Sequence, residues 1–66
     1  MATVDDARQA ENMVRSLYPS NFSLHNFNIH KQGDAWIVTY EIRTVKNIQK
    51  HEVRINSTTG NVSRTR

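Results

Sequence analysis

Apolar residues near the amino terminus recur at the spacing of one helix face. The members of this stripe are Ala7, Ala10, Val14 and Leu17. Such a stripe, with polar residues on the opposite side, is typical of an amphipathic helix. Thr3, followed three residues later by Asp6, resembles a capping box at a helix start. Pro19 disfavours helical geometry at Tyr18. The pattern therefore predicts a helix over residues 3–18.

The middle of the chain changes to a period of two. Here apolar or aromatic residues occupy every second position, and mixed apolar and polar residues occupy the positions between them. Most of these residues are β-branched or aromatic. This alternation predicts a strand with one core face. The expected core-facing residues are Trp36, Val38, Tyr40 and Ile42. A third strand is expected to place His51, Val53 and Ile55 on the same side, and 62–65 form a short fourth strand.

The first strand has a change of parity. Two apolar pairs lie on opposite parities: Phe22 with Leu24, and Phe27 with Ile29. One regular strand cannot place all four on one face. Either a bulge lies near His25 and Asn26, or Phe22 and Leu24 belong to the turn after the helix. We expect a strand over about 24–32.

Turn-forming residues separate the predicted strands. Gln32-Gly33-Asp34 indicates a tight hairpin, and Lys46-Asn47 lies in the next turn. A third turn covers residues 57–61, where Gly60 suits a left-handed backbone position.

Together these elements predict one α+β domain spanning residues 1–66, with an N-terminal helix packed on a four-stranded antiparallel β-meander. Helix and sheet each have one apolar side, so they should cover one another. The predicted core comprises Ala7, Ala10, Val14, Leu17, Phe27, Ile29, Trp36, Val38, Tyr40, Ile42, Val53 and Ile55, with Val62 added to it. The other sheet face should be polar, with Thr39, Glu41, Arg43, Lys50, Glu52 and Arg54.

Composition narrows the class of protein. The chain has 66 residues, 36% of them hydrophobic, and no cysteine. A disulfide framework and a thiolate zinc site are therefore excluded. The longest apolar run, Ala35 to Val38, is far below the roughly 20 residues that a membrane helix needs. The first residues lack the basic and apolar regions of a signal peptide, and the compartment is left open.

The formal charge of +3 is unevenly distributed. Residues 1–24 carry two basic and three acidic side chains, whereas residues 25–66 carry seven basic and three acidic ones. The excess of positive charge in the strands and tail is compatible with an anionic partner.

The sequence contains no pattern typical of a catalytic or metal site. His25 and His30 lie five residues apart, which in a regular strand points them to opposite faces, and His51 belongs to another strand. No helical histidine motif, glycine-rich phosphate loop or nucleophile elbow is present. We expect no cofactor, no metal and no enzymatic activity.

Two stretches resemble the PepSY and PepSY-like domains. The first runs from Ala35 to Ile42, with the pattern Trp36-x-Val38-x-Tyr40, and the second is Val53-x-Ile55-Asn56 followed by Thr59-Gly60-x-Val62. Asn56 stands where Asp is commoner in the family. The resemblance implies a small non-catalytic module that inhibits or regulates peptidases and is often found outside the cytoplasm.

On this basis we expect a non-enzymatic interaction module that binds a protein or peptide through a sheet edge or its polar face. A homodimer through a sheet edge is a further option. The candidate binding residues are Thr39, Arg43, Lys46, Lys50, Arg54 and Arg64. The alternative is a small basic nucleic-acid-binding protein using Arg43, Lys46, Lys50, Arg54, Arg64 and Arg66, although Glu41 and Glu52 interrupt that surface.

Overall fold

A computed structural model describes residues 4–64. Its elements are α1 (Ala7–Ser16), β1 (Ser23–Gln32), β2 (Ala35–Arg43), β3 (Ile48–Asn56) and β4 (Val62–Arg64). The strands form one antiparallel sheet in the order β1-β2-β3-β4. α1 packs against β1 and β2. This arrangement confirms the predicted α+β architecture.

The helix is shorter than the predicted range 3–18. It begins after Asp6, whose side chain accepts a hydrogen bond from the Gln9 backbone N–H at 2.9 Å. Asp is among the best N-cap residues because its oxygen reaches the unpaired amides of the first turn. The predicted cap, Thr3, lies outside the described residues. At the other end, Leu17 and Tyr18 have left the helix before Pro19, which constrains the residue preceding it.

A bulge in β1 resolves the parity problem of its apolar residues. Two residues, Asn26 and Phe27, lie opposite the single residue Tyr40, and the register shifts between His25 and Asn28. Asn26 has a φ of 55°, a left-handed conformation that Asn tolerates better than most residues. The extra residue brings Leu24, Phe27 and Ile29 to the same side of the sheet. Phe22 precedes the strand.

The hydrophobic core lies between α1 and the side of the sheet that it covers, here called the helix face. Its most buried large side chains are Tyr40, Ile55, Val14, Val38 and Val53. Phe27, Ile29 and Trp36 are partly buried against this cluster. The N-terminal segment completes one end, because Val4 is buried and its carbonyl accepts a hydrogen bond from the Trp36 indole N–H at 2.9 Å.

The predicted core includes two residues that are exposed in the structure, and it omits three that are buried. Leu17 is 48% exposed because the helix has ended, and Val62 is 37% exposed on the short outer strand. Val4, Ala35 and Ile37 are buried although the predicted core omitted them. Ala35 and Ile37 lie on the side of the sheet opposite α1, here called the open face.

Candidate binding surfaces

The open face carries polar and charged side chains in rows that cross the strands. The rows from one end to the other are His25, Glu41 and Lys50; Asn28, Thr39 and Glu52; and His30, Ile37, Arg54 and Ser63. Antiparallel sheets commonly have one such solvated face. Here its centre is not uniformly polar, since Ile37 is only 6% exposed.

The structure separates the predicted binding residues. The open face carries four of them, Thr39, Arg43, Lys50 and Arg54, because their register positions share one parity. Lys46 lies in the turn between β2 and β3. Arg64 pairs with Val53 and therefore lies on the helix face. Arg66 lies outside the described residues.

The cations of the open face do not form one patch. Arg43 lies opposite Ile48, six residues before Arg54 on β3, which puts the two arginines about 20 Å apart at the usual strand rise. Between them, Lys50 lies opposite Glu41. Cross-strand pairs of opposite charge are modestly stabilising. Glu52, opposite Thr39, adds a second carboxylate, so the centre of this face is not positively charged.

A groove of about 530 Å³ lies in that central region. Asn26, Asn28, Thr39, Glu41, Lys50 and Glu52 are among the residues that line it. The Asn26 side-chain amide donates a hydrogen bond to Glu41 Oε1 at 2.8 Å, so the bulge also orients this carboxylate. The sequence offered a bulge near His25 and Asn26 as one of two alternatives, but Asn26 was not among the predicted binding residues. Its tolerance of a positive φ, next to the change of parity, was the signal that favoured the bulge.

The aromatic side chains of the strands are on the helix face. Tyr40 is the centre of the group: its ring lies 5.6 Å from Phe27, 5.8 Å from His51 and 5.9 Å from Tyr18. Trp36 shares this face and has the Lys31 ammonium 5.7 Å from its ring. Proteins that bind single-stranded nucleic acid usually expose stacking aromatics on the sheet. Within the four strands, no Phe, Tyr or Trp lies at a register position of the open face.

Arg64 has a different environment from the arginines of the open face. The Tyr40 hydroxyl is buried and hydrogen-bonds to the Tyr18 hydroxyl. Burial, with the Tyr18 bond, raises the pKa of Tyr40 above its ordinary value of 10.0, and the positive charge of Arg64 acts in the opposite direction. Arg64 thus acts electrostatically on the aromatic group.

The bulge also changes the placement of the histidines. The expectation that His25 and His30 point to opposite faces is wrong, because the extra residue between them restores the same parity and both lie on the open face. They remain apart, opposite Glu41 and Ile37. Among residues 4–64 there is no group of three or more potential metal-ligating side chains.

The outer edge of β1 has two residues whose peptide groups turn away from β2. β1 and β2 are joined by the two-residue turn Gly33–Asp34, and Gly33 has a φ of 61°, typical of a type II′ hairpin. In such a hairpin the closing pair, Gln32 and Ala35, exchanges backbone hydrogen bonds. The alternation along the pair then directs the N–H and C=O groups of Ile29 and Lys31 outward.

The same alternation holds on the other side of the sheet. The carbonyl of Asp34 accepts from the Ser57 N–H at 2.7 Å, as expected if even-numbered positions of this segment turn toward β3. None of the described residues donates to or accepts from the outward groups of Ile29 and Lys31. The opposite edge is different, because β4 covers Val53–Ile55 of β3.

Comparison with family models, with curated proteins and with solved structures gave no match. The resemblance to PepSY-like domains stays a prediction. α1, with ten residues, is too short to cross a bilayer, and residues 4–64 contain no helix that is long and apolar enough to do so.

Proposed function

We propose that this chain is a non-catalytic, PepSY-like binding module that pairs with an extended segment of another protein along the outer edge of β1. The observation that carries the proposal is the pair of outward-facing peptide groups at Ile29 and Lys31. Exposed strand edges recruit further strands because their N–H and C=O groups are already aligned for pairing.

The usable part of the edge is short and has a defined length. The bulge at Asn26 and Phe27 interrupts the regular pairing, so the regular edge runs from Asn28 to Gln32. Five residues at the usual strand rise span about 17 Å. Each outward residue offers one donor and one acceptor, so a partner strand forms four main-chain hydrogen bonds, each worth about 0.5–1.5 kcal/mol net.

The charge of β1 favours a neutral or acidic partner segment. The strand carries His25, His30 and Lys31 and has no carboxylate. Lys31 is also a residue that natural edge strands use against self-association. A second copy of the same basic strand would bring like charges together, which disfavours a homodimer at this edge.

The test is a proline at the outward position. Lys31→Pro removes an N–H that points away from β2, and edge strands tolerate proline there. Peptides selected from a displayed random library on the wild-type protein are then measured on the variant. We expect binding to weaken by about tenfold, since one main-chain hydrogen bond is lost and the proline ring obstructs the approaching strand.

Lys31→Thr is the matched control, since it removes the same charge and the contact with Trp36 but keeps the N–H. The control should retain most of the affinity. Equal binding by wild type, Lys31→Pro and Lys31→Thr would contradict strand addition at β1. Inhibition of a panel of peptidases, with and without Lys31→Pro, tests the partner class that the PepSY-like resemblance implies.

A further inference from the structure

A second groove lies on the open face, on the β3–β4 side of the sheet and away from the β1 edge. Its volume is about 400 Å³, and its lining comprises Asp34, Ala35, Arg54, Asn56, Asn61 and Ser63. We call this group the Arg54 corner. Ala35 is buried and gives the groove an apolar floor, while most of the other residues carry hydrogen-bond donors.

The Asn56 amide is held in one orientation by the turn that follows it. Its Oδ1 accepts hydrogen bonds from the backbone N–H groups of Thr58 at 2.9 Å and Thr59 at 3.0 Å. Only an oxygen can accept two N–H donors, so the assignment of the amide is fixed. The Nδ2 group is left with two N–H donors and has no hydrogen-bond partner among residues 4–64.

Arg54 and Ser63 complete the donor set. The two residues are directly opposite each other on β3 and β4, and residues on one face at such positions have Cβ atoms about 5 Å apart. The Arg54 side chain is exposed. Within the described residues the ion pair is formed by Arg15 and Glu11, so Arg54 takes no part in it. Its guanidinium is a planar fork that matches two carboxylate oxygens.

We propose that the Arg54 corner binds a carboxylate of a peptide. The Arg54 guanidinium forms the paired contact, and the Asn56 Nδ2 group and the Ser63 hydroxyl donate to the same oxygens. Asp34 also lines the groove. Its carboxylate has the same charge as the bound carboxylate, so it weakens the attraction of the groove for the peptide. The carboxylate comes from a glutamate or aspartate side chain or from a chain terminus, since both present the same two oxygens.

The experiment is a titration of the isotope-labelled full chain, followed by amide and side-chain NMR shifts. The probes are a blocked tripeptide with one central glutamate, its glutamine counterpart, and a triglycine with a free carboxyl end. We expect saturable shifts at Arg54, Ser63 and the Asn56 side-chain amide with the two carboxylate probes. The stronger of these two identifies the source of the carboxylate.

Two variants remove the proposed contacts without removing the turn. Arg54→Gln keeps the length of the stem, and Asn56→Asp keeps the oxygen that caps Thr58 and Thr59 but replaces the donor with a second oxygen. Each should lower the affinity for the glutamate probe by about fivefold or more, as expected for loss of a charge-assisted hydrogen bond. Asp34→Asn should tighten binding by about two- to fivefold, because it removes a like charge.

Arg43→Gln is the matched control, since it removes the same charge from the same face about 20 Å away. Binding should stay within twofold of wild type. Equal weakening by Arg43→Gln and Arg54→Gln, equal shifts with the glutamine probe, or tighter binding of inorganic phosphate than of the glutamate probe would each overturn the proposal. The outcome is independent of the β1 edge, which Lys31→Pro tests separately.

Discussion

The two faces of the sheet come from the same strands, yet they are stabilised in different ways. On the helix face, Val38, Val53 and Ile55 are completely buried under α1 and the N-terminal segment. On the open face, Ile37 is almost as buried, but its cross-strand neighbours are the long polar side chains of His30 and Arg54. Burial on one face comes from packed elements and on the other from side-chain stems, which can cover apolar surface while their charged ends stay in water.

This difference between the faces indicates which parts of the surface can bind a partner. The helix face uses its aromatic residues for the core, so they are unavailable to a ligand. The open face and the β1 edge have polar groups that the fold does not fully use. In proteins, binding residues usually lie on the surface of a rigid scaffold, and the core residues serve packing.

The largest effect is expected from the helix face. Trp36→Ala should lower the free energy of unfolding by about 3–5 kcal/mol, because it removes a large aromatic side chain and the hydrogen bond to Val4. For a domain of this size the variant could be unfolded under native conditions. Urea denaturation followed by circular dichroism measures the change. A loss below about 1 kcal/mol would show that the assignment of the two faces is wrong.

The second prediction tests burial on the open face. Ile37→Ala should cost about 2 kcal/mol, at the low end for such truncations, because the flanking stems can move into the space. The control Thr39→Ala is on the same strand and face but should cost about 0.5 kcal/mol or less. If both variants behave alike in urea, the open face has no apolar centre of its own.

The third prediction concerns the hydrogen-bonded hydroxyls of Tyr40 and Tyr18. The pKa of Tyr40 is raised in the folded state, chiefly by burial. Above about pH 10 the unfolded chain releases this proton while the folded chain retains it, so stability is lost as pH rises. Tyr40→Phe should cost about 1 kcal/mol at pH 7 and should flatten the decline above about pH 10. If the stability of Tyr40→Phe declines with pH as steeply as that of the wild type, the decline comes from other groups.

The smallest effect on stability is expected from the charges of the open face. The double variant Arg43→Glu with Arg54→Glu should change the free energy of unfolding by about 0.5 kcal/mol or less, since both side chains are exposed. The same variant tests the nucleic-acid alternative. We expect no binding of a labelled single-stranded oligonucleotide at 50 mM salt. Binding that steepens at low salt and is lost on charge reversal would favour the alternative.

The regular parts of the molecule were predictable because local patterning defines them. The period of two in Trp36, Val38, Tyr40 and Ile42, with β-branched and aromatic residues, predicts β2 and its core face. Gly33 and Gly60 mark turns that need a positive φ. The helix ends were less predictable. Asp6 and Thr3 are both acceptable caps in sequence, and the structure places Asp6 at the cap of α1.

The candidate surfaces could be predicted only in part. Parity along a strand placed Thr39, Arg43, Lys50 and Arg54 on one face, but it could not give the distance between Arg43 and Arg54, which depends on the register of β2 with β3. The placement of Arg64 with the aromatic group depends on the pairing of β4. The fixed amide of Asn56 depends on the conformation of the turn after it.

The sequence by itself determined the architecture, because one apolar helix stripe and one apolar sheet face must cover each other to leave water. Only the tertiary structure decided how the residues of β1 are divided between the two faces. One left-handed residue, Asn26, shifts the register of β1, puts Leu24 on the same side as Phe27 and Ile29, and turns His25 and His30 to the other side. Side-chain direction in a strand alternates residue by residue, so a single extra residue reverses every position that follows it.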